Sequence, residues 1–131
     1  MIGIVLITHG PLSKSMLETV EIFNNDLENV GYLSLDVGSE VDSFEDSIID
    51  LYEQYEEGEG ILFLTDIFGG TPSNIVWKLQ MNDYDLECVT GLNLGMVLEV
   101  LLARHSNNLS ELADIAVEAG NEGIKKLEVK N

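Results

Sequence analysis

The sequence has few cysteines, few basic residues and no long apolar run, and each shortage excludes a class of protein. The single cysteine, Cys88, rules out an internal disulfide and a cysteine-based zinc site. Six Lys and Arg residues stand against 24 Asp and Glu residues, which gives a net charge of −18. This excess of negative charge argues against binding to nucleic acid or to anionic lipid, whereas basic protein partners remain compatible with it.

No apolar run approaches the ~20 residues that cross a bilayer. The apolar segment at residues 1–6 has no basic residue before it and is soon followed by the polar Thr8 and His9. We interpret this segment as a strand rather than as a signal peptide, because a signal peptide begins with positive charge. We therefore expect a cytoplasmic protein.

The chain is long and apolar enough for one folded domain over residues 1–131, since 45% of its residues are hydrophobic. Short runs rich in β-branched residues alternate with segments whose apolar residues recur at three- and four-residue steps. The first and third runs are apolar on both faces, as central strands of a parallel sheet are. The alternation predicts an α/β fold built of βαβ units. The predicted strands are residues 2–8, 30–37, 60–65 and 85–91, and five helices lie between and after them.

The end of the chain is open to two interpretations. Residues 124–129 either close the fifth helix or form a late strand, and Gly120 and Gly123 favour a break before them.

Negative charge is concentrated in the first half of the chain, because no Lys or Arg lies between Lys14 and Lys78. We interpret this stretch as a solvated acidic surface. The functional alternative is an electrostatic field that recruits a basic partner.

Polar residues follow the predicted strands at their carboxyl ends, where open α/β sheets bind ligands. His9 follows the first strand and Asp66 follows the third. If the strand order is 2-1-3-4, these two residues face each other across neighbouring strands. A carboxylate that accepts the proton of one ring nitrogen fixes the tautomer of a histidine and leaves the other nitrogen free as a nucleophile.

Both loops at this edge suit an anion. Gly10 permits a tight turn, and Pro11 suits the first position of a helix because the N–H that it lacks has no partner there. Gly69 and Gly70 let a backbone approach closely, and Thr71 is predicted to cap the next helix. Two helix N-termini that converge on one imidazole form a cradle for a phosphate-sized anion. No Gly-Lys-Ser/Thr sequence follows either loop, so a nucleotide is not implied.

Each of these features also has a purely structural interpretation. A single histidine after a strand is more often a loop or core residue than a nucleophile, and Asp66 is able to cap the turn that follows it. His105 follows a helical run, where it complements the helix dipole. We expect Trp77 and Tyr84 to be packing residues. A Ser–His–Asp hydrolase remains open on composition, but no Gly-x-Ser-x-Gly elbow is present.

The order of these motifs resembles that of the IIA components of the mannose-family sugar phosphotransferase system, and the similarity extends over nearly the whole chain. The matching stretches are Thr8-His9-Gly10, Glu28-Asn29-Val30-Gly31, residues 60–66, Gly69-Gly70-Thr71-Pro72, Gly91-Leu92-Asn93, Ala103-Arg104 and residues 120–125.

The resemblance implies a flavodoxin-like, open and mainly parallel sheet with helices on both faces. Its C-terminal antiparallel strand, residues 124–129, is exchanged within a homodimer. The implied function is that of a cytoplasmic phosphocarrier, which accepts a phosphoryl group from HPr and passes it to a IIB component. That component is coupled to membrane IIC and IID subunits. Neither a metal nor a cofactor is expected.

Mapped onto this sequence, the resemblance makes His9 the phosphorylated residue, with the phosphoryl group on Nε2 and Nδ1 oriented by Asp66. The residues expected to hold the phosphoryl oxygens are Gly10, Gly69, Gly70 and Thr71.

The resemblance and the loop composition together suggest a partner-binding rim formed by Phe68, Leu92 and Met96. Members of the family frequently carry Trp where Phe68 stands and Pro where Gly95 stands, and these departures concern docking of the partner more than phosphorylation.

Two other functions of the same fold remain alternatives. One is the phosphotransfer subunit of a dihydroxyacetone kinase, whose loop after the third strand usually lacks the Gly-Gly-[ST]-Pro pattern. The other is a receiver-like module phosphorylated on Asp66, which needs an acidic pair after the first strand to bind Mg²⁺. Thr8 and His9 occupy that place here.

Overall fold

The computed structural model describes residues 1–36, 38, 40–67 and 71–129, and in this part of the chain four strands alternate with helices. The strands are β1 (Gly3–His9), β2 (Val30–Leu35), β3 (Ile61–Thr65) and β4 (Leu86–Val89). The helices are α1 (Leu12–Phe23), α2 (Val41–Tyr55), α3 (Thr71–Met81), α4 (Leu94–Ala103) and α5 (Leu109–Glu122).

The four strands form one parallel sheet in the order β2-β1-β3-β4, which confirms the predicted class and strand order. Both faces of the central strand β1 are buried. Ile4 and Leu6 pack on one face with residues of α1, α4 and α5, whereas Val5 and Ile7 pack on the other with residues of α2 and α3. Burial on both faces explains why β1 is an unbroken apolar run in the sequence.

The register of β1 and β3 brings their carboxyl ends to the same edge of the sheet. Ile7 lies beside Thr65, the last residue of β3, and β1 continues to His9. Asp66 leaves β3 directly afterwards. The register therefore places His9 and Asp66 on adjacent strand ends, as the strand order predicts.

Both prolines lie one position away from their predicted places at helix starts. Pro11 is the N-cap of α1 rather than its first helical residue, and its side chain makes no hydrogen bond to the amides of the first turn. Thr71 is the first helical residue of α3, so Pro72 is the second. Proline is tolerated at each of these positions, because the first N–H groups of a helix have no intrahelical acceptor.

The predicted break before residues 124–129 is present, but it lies at Gly123 and not at Gly120. Gly120 lies within α5, which ends at Glu122 with Gly123 as its C-cap. A Cβ at position 120 would lie 2.8 Å from the Met96 methyl group, so this glycine permits close packing of α5 on α4. Gly120 is therefore explained by the need for a small residue where α5 contacts α4, and not by a break in the helix.

Residues 124–129 form neither a helical turn nor a strand in the single chain. They are exposed, and Leu127 is the most exposed of their apolar side chains at 94%. The exchanged strand therefore stays a prediction. No described helix is long and apolar enough to span a membrane.

The two aromatic residues that we expected to pack differ in their surroundings. Tyr84 packs edge-on against Tyr52, with the ring centroids 4.9 Å apart. Trp77 is 62% exposed, so the expectation that it packs is wrong. The helix periodicity explains the difference, because α3 buries Val76 and Leu79 on its inner face and leaves Trp77 outside.

Candidate functional site

His9 and Asp66 make direct contact at the carboxyl edge of the sheet. Oδ2 of Asp66 accepts a hydrogen bond from the backbone N–H of His9 at 2.9 Å and lies 3.0 Å from Nδ1 of the ring. Its other oxygen, Oδ1, accepts the N–H of Ile67 at 3.0 Å. Within the described residues, Nε2 of His9 has no hydrogen-bond partner. One nitrogen of the ring is therefore held by a carboxylate and the other is free.

The environment of Asp66 keeps its carboxyl group ionised. Partial burial pushes the pKa of this group up, but hydrogen bonds from the backbone and ring of His9 and from the backbone of Ile67 outweigh burial, and the pKa is lowered. The side chain of Asp66 is 10% exposed, whereas that of His9 is 45% exposed. An ionised, mostly buried carboxylate thus faces a histidine that solvent or a partner protein is able to reach.

Gly10 turns the chain away from β1 with a φ of +60°, in the left-handed region that favours glycine. Its N–H donates to the carbonyl oxygen of Leu35 at 2.9 Å. This amide, which we expect to hold a phosphoryl oxygen, is engaged within the unphosphorylated chain, so its contact with an anion stays a prediction. The observed contribution of Gly10 is the shape of the turn.

The first turn of α1 begins at Leu12, three residues after His9, and one of its amides is also engaged. The N–H of Ser13 donates to Oγ1 of Thr8 at 2.7 Å. Pro11 has no N–H. In the part of the chain that the structure describes, the amides of Leu12 and Lys14 have no hydrogen-bond acceptor. These two amides are therefore the donors that the turn leaves available to an anion.

The hydroxyl of Ser13 faces the sheet rather than the histidine. Ser13 and Thr8 are fully buried, and Oγ of Ser13 donates to the carbonyl oxygen of Leu33 at 3.1 Å. This bond leaves Ser13 outside a Ser–His–Asp triad with His9. The sequence analysis predicts no role for the Thr8 hydroxyl. The feature that indicates one is a threonine at the last buried position of a strand, directly before the candidate nucleophile.

The second loop of the expected phosphoryl site is described only in part. Phe68, Gly69 and Gly70 lie outside the described residues. Thr71 begins α3 and is half-buried. Ile67, which directly follows Asp66, is 58% exposed and adds apolar surface to this edge of the sheet.

The two remaining residues of the expected rim have different positions. Leu92 is half-buried, and its N–H donates to the carbonyl oxygen of Thr65 at 2.9 Å, so its loop is fastened to the end of β3. Met96 is only 2% exposed and packs in the core beside Gly120. The expectation that Met96 contacts a partner is therefore wrong, because this residue lies on the buried face of α4.

His105 lies just beyond the C-cap of α4, as its position after a helical run predicts. Its Nε2 atom is 3.7 Å from Oδ2 of Asp26. Within the described residues, no group of three or more His, Cys, Asp or Glu side chains is placed to hold a metal ion.

Comparison with known proteins identifies the family. A family described as "PTS system fructose IIA component" matches residues 3–117. The mannose-specific EIIAB component of Escherichia coli strain K12 is 32% identical over 130 residues, which are 98% of this chain and 40% of that protein. The fructose-specific EIIA component of Bacillus subtilis strain 168 is 25% identical over 138 residues, which cover 100% of this chain and 94% of that protein. The chain thus spans less than half of the Escherichia coli relative.

A solved structure gives the same result. The phosphotransferase system component EIIA from Streptococcus agalactiae has a TM-score of 0.89 to this chain at 27% identity, and covers 96% of this chain and 97% of its own. Since the family match includes β1 to α4 and most of α5, and the fold agrees, this chain belongs to the mannose-family IIA components of the sugar phosphotransferase system.

Proposed function

We propose that this chain is a phosphohistidine carrier that accepts a phosphoryl group on Nε2 of His9. The observation that carries the proposal is the contact of Asp66 with the other ring nitrogen, Nδ1, at 3.0 Å. An ionised carboxylate beside Nδ1 keeps the proton on that nitrogen. The lone pair of a neutral imidazole then lies on Nε2, the nitrogen with no partner among the described residues.

The transfer is an in-line displacement at phosphorus. The lone pair of Nε2 forms the new P–N bond while the P–N bond of the donor imidazole breaks, and the electron pair of that bond returns to the donor ring. No proton leaves His9, so the ring becomes positively charged with its Nδ1–H still directed at Asp66. The carboxylate therefore stabilises charge that develops during transfer. The same step in reverse direction passes the phosphoryl group to the next carrier.

The free amides of the first turn of α1 are the donors that we assign to the phosphoryl oxygens. Leu12 and Lys14 supply them, and the positive end of the α1 dipole lies at the same place. Thr71 and the glycines Gly69 and Gly70 are retained as proposed ligands from the second loop. Transfer between imidazoles has a loose transition state with charge spread over the phosphoryl oxygens, so fixed donors of this kind supply most of the catalysis.

The partners that we propose are phosphorylated HPr as donor and a IIB component as acceptor, in the cytoplasm, with IIC and IID in the membrane beyond them. The exposed Ile67 and the half-buried Leu92 lie at the same edge of the sheet as His9, and Phe68 is retained as a proposed contact. Such a rim excludes water from the phosphohistidine when a partner docks. The charge of −18 favours partners with a basic contact surface.

We further propose that two copies associate through residues 124–129. β4 is an edge strand of the described sheet, and Leu127 and Val129 are exposed at 94% and 91%. A strand from a second copy would cover both the open edge and the apolar side chains. Sedimentation of Leu127→Asp is expected to show monomers, and Glu128→Gln is the control that stays a dimer. Dimers of Leu127→Asp would contradict this assembly.

Phosphorylation by a reconstituted donor chain tests the proposed function. With phosphoenolpyruvate, enzyme I and HPr, the wild-type chain is expected to acquire one alkali-stable phosphoryl group. His9→Ala is expected to acquire none, while His105→Ala, which removes the other histidine, is expected to behave as wild type. Labelling of folded His9→Ala would refute the assignment.

The chemical stability of the phosphorylated residue distinguishes the receiver-like alternative from the phosphohistidine carrier. A phosphoryl group on Asp66 would be released by hydroxylamine and would survive in His9→Ala. A phosphoryl group on His9 resists alkali and is lost with the histidine. The structure favours the histidine, because both Asp66 oxygens already accept hydrogen bonds.

A further inference from the structure

We propose that Thr8 is a positioning residue for phosphoryl transfer, because its buried hydroxyl fixes the first turn of α1 beside His9. The proposal rests on the carrier function described above. It concerns a side chain that does not touch the phosphoryl group.

The start of α1 lacks the cap that most helices supply themselves. Its N-cap residue, Pro11, makes no side-chain hydrogen bond to the helix. Thr8 replaces the missing cap from the end of β1, since Oγ1 accepts the N–H of Ser13 at 2.7 Å. Thr8 is fully buried, so water does not compete for this bond.

Ser13 connects the same turn to a second strand. Its own hydroxyl donates to the carbonyl oxygen of Leu33 in β2 at 3.1 Å. The first turn of α1 is therefore attached to β1 through Thr8 and to β2 through Ser13. The bond to Thr8 is buried and the bond to Leu33 is partly buried, and together they fasten the turn to the edge of the sheet at two points.

This attachment matters for phosphoryl transfer because the turn carries the amides that we assign to the phosphoryl oxygens. His9 directly follows Thr8, and the free amides of Leu12 and Lys14 flank the amide that Thr8 engages. Donors that are fixed before the reaction stabilise developing charge far better than donors that must reorient. Loss of the Thr8 hydroxyl leaves the N–H of Ser13 without an acceptor in the interior and lets the turn shift.

The neighbouring strand provides a matched control. Thr65 is the last residue of β3 and directly precedes Asp66, as Thr8 precedes His9. It is equally buried, but its hydroxyl has no hydrogen bond of normal geometry within the described residues. The weakly polar thiol of Cys88 is the group beside it. Thr65→Val therefore removes the same atoms as Thr8→Val without breaking a cap.

The experiment measures phosphoryl acceptance from phosphorylated HPr over a range of HPr concentrations. Thr8→Val is expected to lower kcat about 10-fold, the equivalent of one hydrogen bond at 1.36 kcal/mol per tenfold, with KM within about twofold of wild type. Thr8→Ser, which keeps the hydroxyl, is expected to restore kcat. Thr65→Val is expected to match wild type. A kcat of Thr8→Val equal to that of Thr65→Val overturns the proposal.

A second measurement uses the wild-type protein and holds even if Thr8→Val fails to fold. On phosphorylation, the amide proton resonances of Leu12 and Lys14 are expected to shift more than that of Ser13, whose N–H is already bound. A Ser13 shift as large as those of its neighbours overturns the proposal. Absence of phosphorylation on wild-type His9 would instead refute the carrier function, so the two failures are distinguishable.

Discussion

At the scale of single residues, the candidate chemistry depends on Asp66. One of its oxygens accepts the backbone N–H of His9 and also contacts the ring, so the carboxylate fixes both the main chain and the side chain of the same residue. An arrangement of this kind determines which ring nitrogen is free before any partner arrives. The sequence predicted this pair, because strand order alone brings the two residues to neighbouring strand ends.

Replacing Asp66 with asparagine is expected to slow phosphoryl acceptance about 100-fold while leaving His9 the labelled residue. An amide group carries no charge to stabilise the charged ring, and it holds the required tautomer weakly. Initial rates with phosphorylated HPr measure the effect. Asp114→Asn, at an exposed position of α5, is the control that leaves the rate unchanged, and an unchanged rate in Asp66→Asn would remove this residue from the mechanism.

The same carboxylate gives folding stability a specific dependence on pH. The pKa of Asp66 is lowered in the folded chain from the ordinary value of 3.8, so the unfolded chain takes up the proton first as pH falls. The stabilisation by Asp66 is therefore complete above that value and is lost as pH falls through the lower folded pKa. Chemical denaturation of wild type and Asp66→Asn is expected to show a difference in the free energy of unfolding that shrinks below about pH 4. A difference independent of pH contradicts this assignment.

At the scale of elements, the sequence predicted which segments exist better than what their residues contact. The sequence predicts β1 as a central strand because a strand that is buried on both faces has apolar residues at consecutive positions. The rim that the resemblance and the loop composition predict includes Met96 wrongly, because neither of them reports that α5 covers this face of α4. Thr8 was missed because its hydrogen bond joins a strand end to a helix five residues later, which no periodicity reports.

The close approach of β1 to the end of α2 is expected to make Gly3 intolerant of a side chain. A Cβ there would lie 2.8 Å from the carbonyl oxygen of Tyr55, a backbone atom that is unable to move aside alone. Gly3→Ala is expected to lower the free energy of unfolding by about 1–3 kcal/mol. Urea denaturation of Gly3→Ala and of the wild type measures this difference in the free energy of unfolding.

Gly95 provides the contrast for that measurement. It lies in the first turn of α4, where an added Cβ would have its nearest neighbour at 3.6 Å. Gly95→Ala is expected to leave the stability unchanged or to raise it by up to about 1 kcal/mol, because alanine favours the helix. Equal effects at the two positions would contradict the packing described here.

At the scale of the whole molecule, the net charge of −18 is the property to which a charged partner would respond at long range. Several acidic residues lie at the same sheet edge as His9, among them Asp36 and Glu40, which follow β2 and are exposed. A basic partner would be attracted to this edge over about 10 Å at ordinary ionic strength.

The rate of phosphoryl acceptance from HPr at low substrate concentration is expected to fall as salt is added, because salt screens this attraction. Glu40→Gln is expected to weaken the salt dependence. Asp83→Asn, at the opposite edge of the sheet between α3 and β4, is expected to weaken it less. Stopped-flow rates at increasing ionic strength measure both effects, and rates that rise with salt would contradict attraction.

The state of the two ring nitrogens of His9 is the most direct measurement of the proposed mechanism. In ¹⁵N-histidine-labelled His105→Ala, which retains one of the two histidines, long-range ¹⁵N–¹H spectra resolve both nitrogens of His9. The neutral ring is expected to carry its proton on Nδ1, and phosphorylation is expected to introduce phosphorus coupling at Nε2. A proton on Nε2 of the neutral ring, or a phosphoryl group on Nδ1, would contradict the role of Asp66.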